Sequence, residues 1–171
     1  MKKTLSALLI LFCSLLISPS SAHATGGGPF GLGVILGEPT GFTGKYWQNN
    51  QEAIDFGLTW SFGSYFLVYG DYLWHWKGVI NAKGQFFKDL HLYLGAGAVL
   101  FVGGDEARRN RRFFTDDGRS AVGIGARIPL GAEWKPGRPP FGVFLELVPG
   151  LGVIPSVYGF FQGGIGIRYY F

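Results

Sequence analysis

The chain has 171 residues, with 29 Gly, 17% aromatic residues, 15% charged residues and a single Cys. This is too apolar for a disordered chain, and the glycines lack the strict three-residue period of collagen. The length suits one domain, and so low a charge content is unusual for a water-soluble domain of this size, which points towards a membrane.

In chain order, residues 1–24 have the pattern of a secretory signal peptide. Lys2 and Lys3 form a positive start, Leu5 to Ile17 an apolar stretch, and Ala22-His23-Ala24 a small-x-small cleavage site. Cys13 lies inside the apolar stretch behind Leu11-Phe12, without the small residues that a lipid-attachment site needs. Cleavage after Ala24 leaves residues 25–171 as one domain without cysteine, so disulfides and thiol chemistry are excluded there. Removing Lys2 and Lys3 leaves 13 basic against 11 acidic residues, a net charge of +2, too small a bias for nucleic acid.

No stretch after the leader approaches the roughly 20 consecutive apolar residues of a transmembrane helix. The chain alternates with period 2 instead, which is the strand signature. Pro29 to Trp47 is predicted to form two strands around a tight turn at Glu38-Pro39-Thr40-Gly41. Ala53 to Phe62 follows, with Ile54, Phe56, Leu58, Trp60 and Phe62 on one face and small or polar residues on the other. Tyr65 to Trp76 is the fourth strand, and the stretch Gly78 to Phe87 leaves room for a helical turn. Lys88 to Val102 is the fifth strand, and Gly103 to Arg119 is a long polar connection. Ser120 to Trp134 is the sixth, Lys135 to Pro140 a short turn, Phe141 to Val148 the seventh, Pro149 to Tyr158 a loop, and Gly159 to Phe171 the eighth. A soluble sandwich would carry abundant Lys, Glu and Thr on its second face. Here that face is mainly Gly with scattered charges, which suits the cramped lumen of a narrow barrel.

The closing residues Ile165, Ile167, Tyr169 and Phe171 alternate with Gly164, Gly166, Arg168 and Tyr170. This resembles the C-terminal insertion signal of bacterial outer-membrane barrels, in which a terminal Phe ends an alternating last strand. The domain as a whole resembles the small OmpA/OmpX-like eight-stranded outer-membrane barrels, and Gly33 to Trp47 resembles the first hairpin of uncharacterised members of that group. The resemblance implies an all-β, transmembrane, antiparallel up-and-down barrel in the outer membrane of a Gram-negative envelope. It also implies lipid surroundings, insertion by the barrel-assembly machinery and a monomer. With both termini in the periplasm, as in such barrels, Gly103 to Arg119 is extracellular. The resemblance supplies no activity. The peptidoglycan-binding domain of larger members is absent from these residues, so tethering to the cell wall is not expected.

On this alternation Lys45, Asp55, Asp71, Asp89, Arg127, Glu133, Glu146 and Arg168 point inward with nearly balanced signs. A lumen without bulk water holds charges only as bonded pairs or networks, so these side chains are predicted to plug it, a substrate or proton path being the alternative. Asp71, Arg127, Glu146 and Arg168 are expected to pair with one another, and neighbouring glycines to give the Arg and Lys stems room. An eight-stranded interior is about wide enough to be filled by side chains, which excludes a wide pore.

Arg108, Arg109, Arg111, Arg112 and Arg119 concentrate in the extracellular tract, where bidentate bonds to lipopolysaccharide phosphates compete with pairing to Asp105, Glu106, Asp116 and Asp117. Some small outer-membrane barrels modify lipid A through a His with a Ser or acidic partner, and His75 and His91 are the available histidines. Both fall at the periplasmic ends of their strands, away from lipid A, and neither has a Ser at a telling spacing. No metal cluster or phosphate-binding loop occurs, so neither metal nor cofactor is expected.

Overall fold

The structure, a computed structural model, describes residues 27–62, 65–79, 84–103, 121–136 and 138–171. The predicted leader and the tract carrying Arg108, Arg109, Arg111, Arg112 and Arg119 lie outside the described residues. The elements run β1 (Phe30–Glu38), β2 (Thr40–Trp47), β3 (Glu52–Ser61), β4 (Tyr65–Lys77), α1 (Gln85–Lys88), β5 (Leu90–Gly103), β6 (Ala121–Arg127), β7 (Leu130–Trp134), β8 (Phe141–Ile154) and β9 (Tyr158–Tyr170).

These strands pair antiparallel around a ring. β6 and β7 succeed one another in the single position between β5 and β8. The ring closes through β1 and β9, in register from Gly31 opposite Tyr170 to Glu38 opposite Gly163. Nine strands therefore make the eight staves of a barrel, and closure leaves no edge of unpaired backbone groups. Only Pro39 separates β1 from β2. The turn there is fastened by reciprocal bonds: the Gly37 N–H donates to Thr40 Oγ1 (3.1 Å) and the Thr40 hydroxyl donates to the Gly37 carbonyl (2.9 Å). The Glu38 carboxylate then accepts from the Ser61 hydroxyl and from the Phe62 N–H (3.1 Å), tying the hairpin to the end of β3.

Two expectations are corrected. The strand foreseen over Ser120 to Trp134 is interrupted at Ile128-Pro129, because Pro129 has no N–H to give the ladder. The interruption is bridged by Gly95 N–H to the Pro129 carbonyl (2.7 Å) and Ile128 N–H to the Pro149 carbonyl (2.9 Å). It spans two residues, so the alternation resumes in phase. The loop foreseen from Pro149 to Tyr158 shrinks to 155–157, since β8 continues to Ile154. Pro149 is tolerated within the strand, opposite Phe161, and its carbonyl still accepts the bond from Ile128. The permitted helical turn before β5 is α1.

Alternation sorts the side chains cleanly. Leu36, Phe42, Leu58, Phe66, Leu145, Leu151 and Ile165 lie on the outside, each more than half exposed. Inside, Leu67, Tyr69, Val99 and Phe101 form a buried apolar cluster, with Tyr65 and Phe160 against it, towards the Pro39 end. Trp47, Ala53 and Tyr170 form a second cluster at the end where β1 starts and β9 finishes. Polar residues fill the space between.

Candidate functional site

Three bonded groups occupy the lumen, each built from strands distant in sequence. At the terminal end Lys45 of β2 donates to Glu133 Oε2 of β7 at 2.6 Å, both side chains fully buried. The Tyr170 hydroxyl donates to the other Glu133 oxygen. Lys45 Nζ also lies 3.2 Å from His75 Nε2, while His75 Nδ1 lies 3.3 Å from the Gln51 carbonyl. A carbonyl can only accept, so Nδ1 carries the ring proton and Nε2 accepts from the ammonium. The Tyr93 ring, 4.8 Å from Nζ, adds a cation–π contact.

In the second group Arg168 of β9 places Nη2 at 3.0 and 2.9 Å from the two oxygens of Asp55 on β3. The same guanidinium donates to Thr43 Oγ1 from Nε (3.2 Å) and Nη2 (2.7 Å), and lies 3.8 Å over the Phe144 ring. In the third, Arg127 of β6 sits between Asp71 of β4 (Nε to Oδ1, 3.2 Å) and Glu146 of β8 (Nη2 to Oε1, 3.1 Å). Glu146 also accepts from the Tyr93 hydroxyl at 2.9 Å, and Arg127 lies 3.9 Å over the Tyr69 ring. Tyr69 donates to Thr43 at 3.3 Å, so tyrosines join the three groups into one web.

Lys45, Asp55, Asp71, Arg127, Glu133, Glu146 and Arg168 are thus all buried in the lumen. Asp89 is not among them. It follows α1 and is only half buried, within reach of the Gln85 amide at 3.3 and 3.4 Å, because the helix turns the chain before β5 begins. Arg127 meets Asp71 and Glu146 as expected, whereas Arg168 pairs with Asp55 in place of Asp71 or Glu146. Inward phase says which side chains enter the lumen, while the stagger of the staves decides which meet at one height.

The glycines also work differently from the expectation. A Cβ on Gly97 would strike the Asp71 carboxylate, one on Gly142 the Glu133 carboxylate, one on Gly57 the Tyr69 ring and one on Gly166 the Phe144 ring. The room they leave is taken by carboxylates and aromatic rings. The lumen tyrosines and Thr43 were missed at the sequence level, although their inward phase was the available signal.

His75 and His91 lie at the terminal end, and Trp47 packs on both, with ring centroids at 4.3 and 6.4 Å. The described hydrogen bonds link neither to a Ser. Just past β7, the Lys135 ammonium lies 4.0 Å over the Tyr170 ring, and burial pushes it down to about 8 against the opposing pull of Glu133. At the terminal end of the outer surface, Trp74, Trp76, Tyr169 and Phe171 are exposed, as are Phe42, Trp60, Phe62 and Phe161 at the other end.

The chain is similar in fold to the N-terminal β-barrel domain of Pseudomonas aeruginosa OprF. The match covers 84% of this chain and 98% of that structure, with a TM-score of 0.57 and 16% identity, and it shows a shared barrel architecture. No family model and no curated protein matches the chain.

Proposed function

We propose that this chain is an integral outer-membrane β-barrel, exported by a signal peptide at residues 1–24, with a structural or surface-interaction role and a lumen closed by its own side chains. The observation that carries the reading is the inversion of ordinary protein polarity. Leu, Val, Ile and Phe cover the outside, while four carboxyl groups, two guanidinium groups, one lysine amine and a web of hydroxyls fill the inside. In water such an exterior would leave an apolar patch far beyond the few hundred Å² of ordinary soluble monomers. In a bilayer it replaces lipid contact with lipid contact, and the exposed aromatics at both ends suit the two interfaces. The OprF likeness supports the architecture of this reading. The alternating end at Ile165, Ile167, Tyr169 and Phe171 fits recognition by the barrel-assembly machinery, and the arginines at 108, 109, 111, 112 and 119 suit lipopolysaccharide phosphates.

Two measurements test it. Refolded into detergent, the protein is expected to migrate faster on SDS gels before boiling than after, because a closed ladder resists the detergent until heated. Equal mobility in material already inserted in a bilayer would count against the barrel. In planar bilayers the wild type is expected to show little steady current, since Arg127, Arg168 and Lys45 are each locked to acids across the lumen. Large, stable openings would replace the plug with a transport role.

A further inference from the structure

Three carboxyl groups and two guanidinium groups meet in the middle of the lumen. Asp55 and Asp71 stand directly opposite one another on β3 and β4, and both are buried. Like charges placed opposite across a ladder repel. Glu146 faces them from β8, and the guanidiniums are Arg127 of β6 and Arg168 of β9. Lys45 of β2 is held by Glu133 of β7, so that pair brings no net charge to the middle. Tyr93 of β5 and Tyr69 of β4 bring hydroxyls and no charge.

The three acids are unequally served. Asp55 takes both contacts with Arg168 and a hydroxyl from Thr43 at 3.4 Å. Glu146 takes Arg127 and the Tyr93 hydroxyl. Asp71, 3% exposed, has one oxygen 3.2 Å from Arg127 Nε, out of hydrogen-bond geometry, and its other oxygen has no partner among the described residues. A buried carboxylate served so poorly, beside two others that absorb the available cations, is stabilised by becoming neutral.

We propose that this central layer binds one proton at neutral pH and that the Asp71 carboxyl carries it. Two carboxylates then face two guanidiniums, and the repulsion between Asp55 and Asp71 disappears. The layer also borders a small void. A cavity of about 10 Å³ is bordered by Arg127 and Glu146, and the buried Thr59 hydroxyl and Gln162 carbonyl that line it have no hydrogen-bond partner among the described residues. That volume and those two polar groups suit one water molecule. This inference does not depend on where the barrel resides.

The test is infrared spectroscopy of the refolded protein in detergent, in H2O and D2O. At neutral pH the parent should show the carbonyl band of one neutral carboxylic acid per chain, shifted by D2O and lost on raising the pH. Asp71→Asn should lack the band and unfold in denaturant at or above the parent's midpoint at neutral pH. A parent without the band would overturn the proposal, and so would a band that survives Asp71→Asn. If the variant does not fold, the parent's own titration still decides whether the layer holds a proton, and a shift of the band on 13C labelling of the aspartate carboxyl groups is required for it to sit on an Asp and not on Glu146.

Discussion

Arg168→Gln is expected to lower the unfolding free energy by about 3 to 5 kcal/mol, the usual cost of leaving a buried charge without its partner. Asp55 would lose both of its ion-pair contacts, and Thr43 would lose two donors. Asp55→Asn alone strands the guanidinium in the same way. The double variant removes both charges and should recover part of the loss, with a coupling energy of about 1 to 3 kcal/mol. Denaturant unfolding in detergent micelles measures all three proteins. Strictly additive losses would mean that the Arg168 and Asp55 charges act independently, and the structure does not allow that.

Gly33→Val is expected to abolish barrel closure. A Cβ at Gly33 would run into the Ile167 carbonyl and the Arg168 Cα, which belong to the strand that completes the ring. Backbone cannot swing aside as a side-chain tip can, so the cost exceeds the roughly 3 kcal/mol of ordinary overpacking. The control is Gly70→Val, on the outer face of β4, where a Cβ would meet nothing within 4 Å and a β-branched residue suits a strand. Refolding yield and the gel shift should be lost in the first and kept in the second. A Gly33→Val protein with wild-type gel behaviour would show that the β1–β9 seam yields more than its geometry suggests.

The contrast between these glycines shows what could be read from the sequence. Alternation has period 2, so every residue of a strand is assigned to a face once one is, and this sorted Ile54, Phe56 and Leu58 from Asp55 and Gly57 without any knowledge of neighbours. The same rule placed Lys45 and Arg168 on the inner phase. It could not say that Gly33 faces the backbone of β9 while Gly70 faces open space, because that depends on which strands touch and how they coil. It could not pair Arg168 with Asp55 for the same reason, since 113 residues separate them. Proline misled in both directions: Pro149 resembled a loop and lies in a strand, whereas Pro129 lay unnoticed inside an alternating run and breaks it. Asp89 failed because α1 adds a turn before the alternation begins.

The seam between β1 and β9 has a kinetic consequence. The first strand and the last must find each other, and the bonds that lock the middle of the lumen join residues 125 and 113 positions apart. Contacts at such separations reward the chain only after most of its loop-closure entropy has been spent, which places this barrel among slowly folding topologies. A chain lacking β9 would hold seven staves with two open edges and an Asp55 without its guanidinium, a species that aggregates or is degraded.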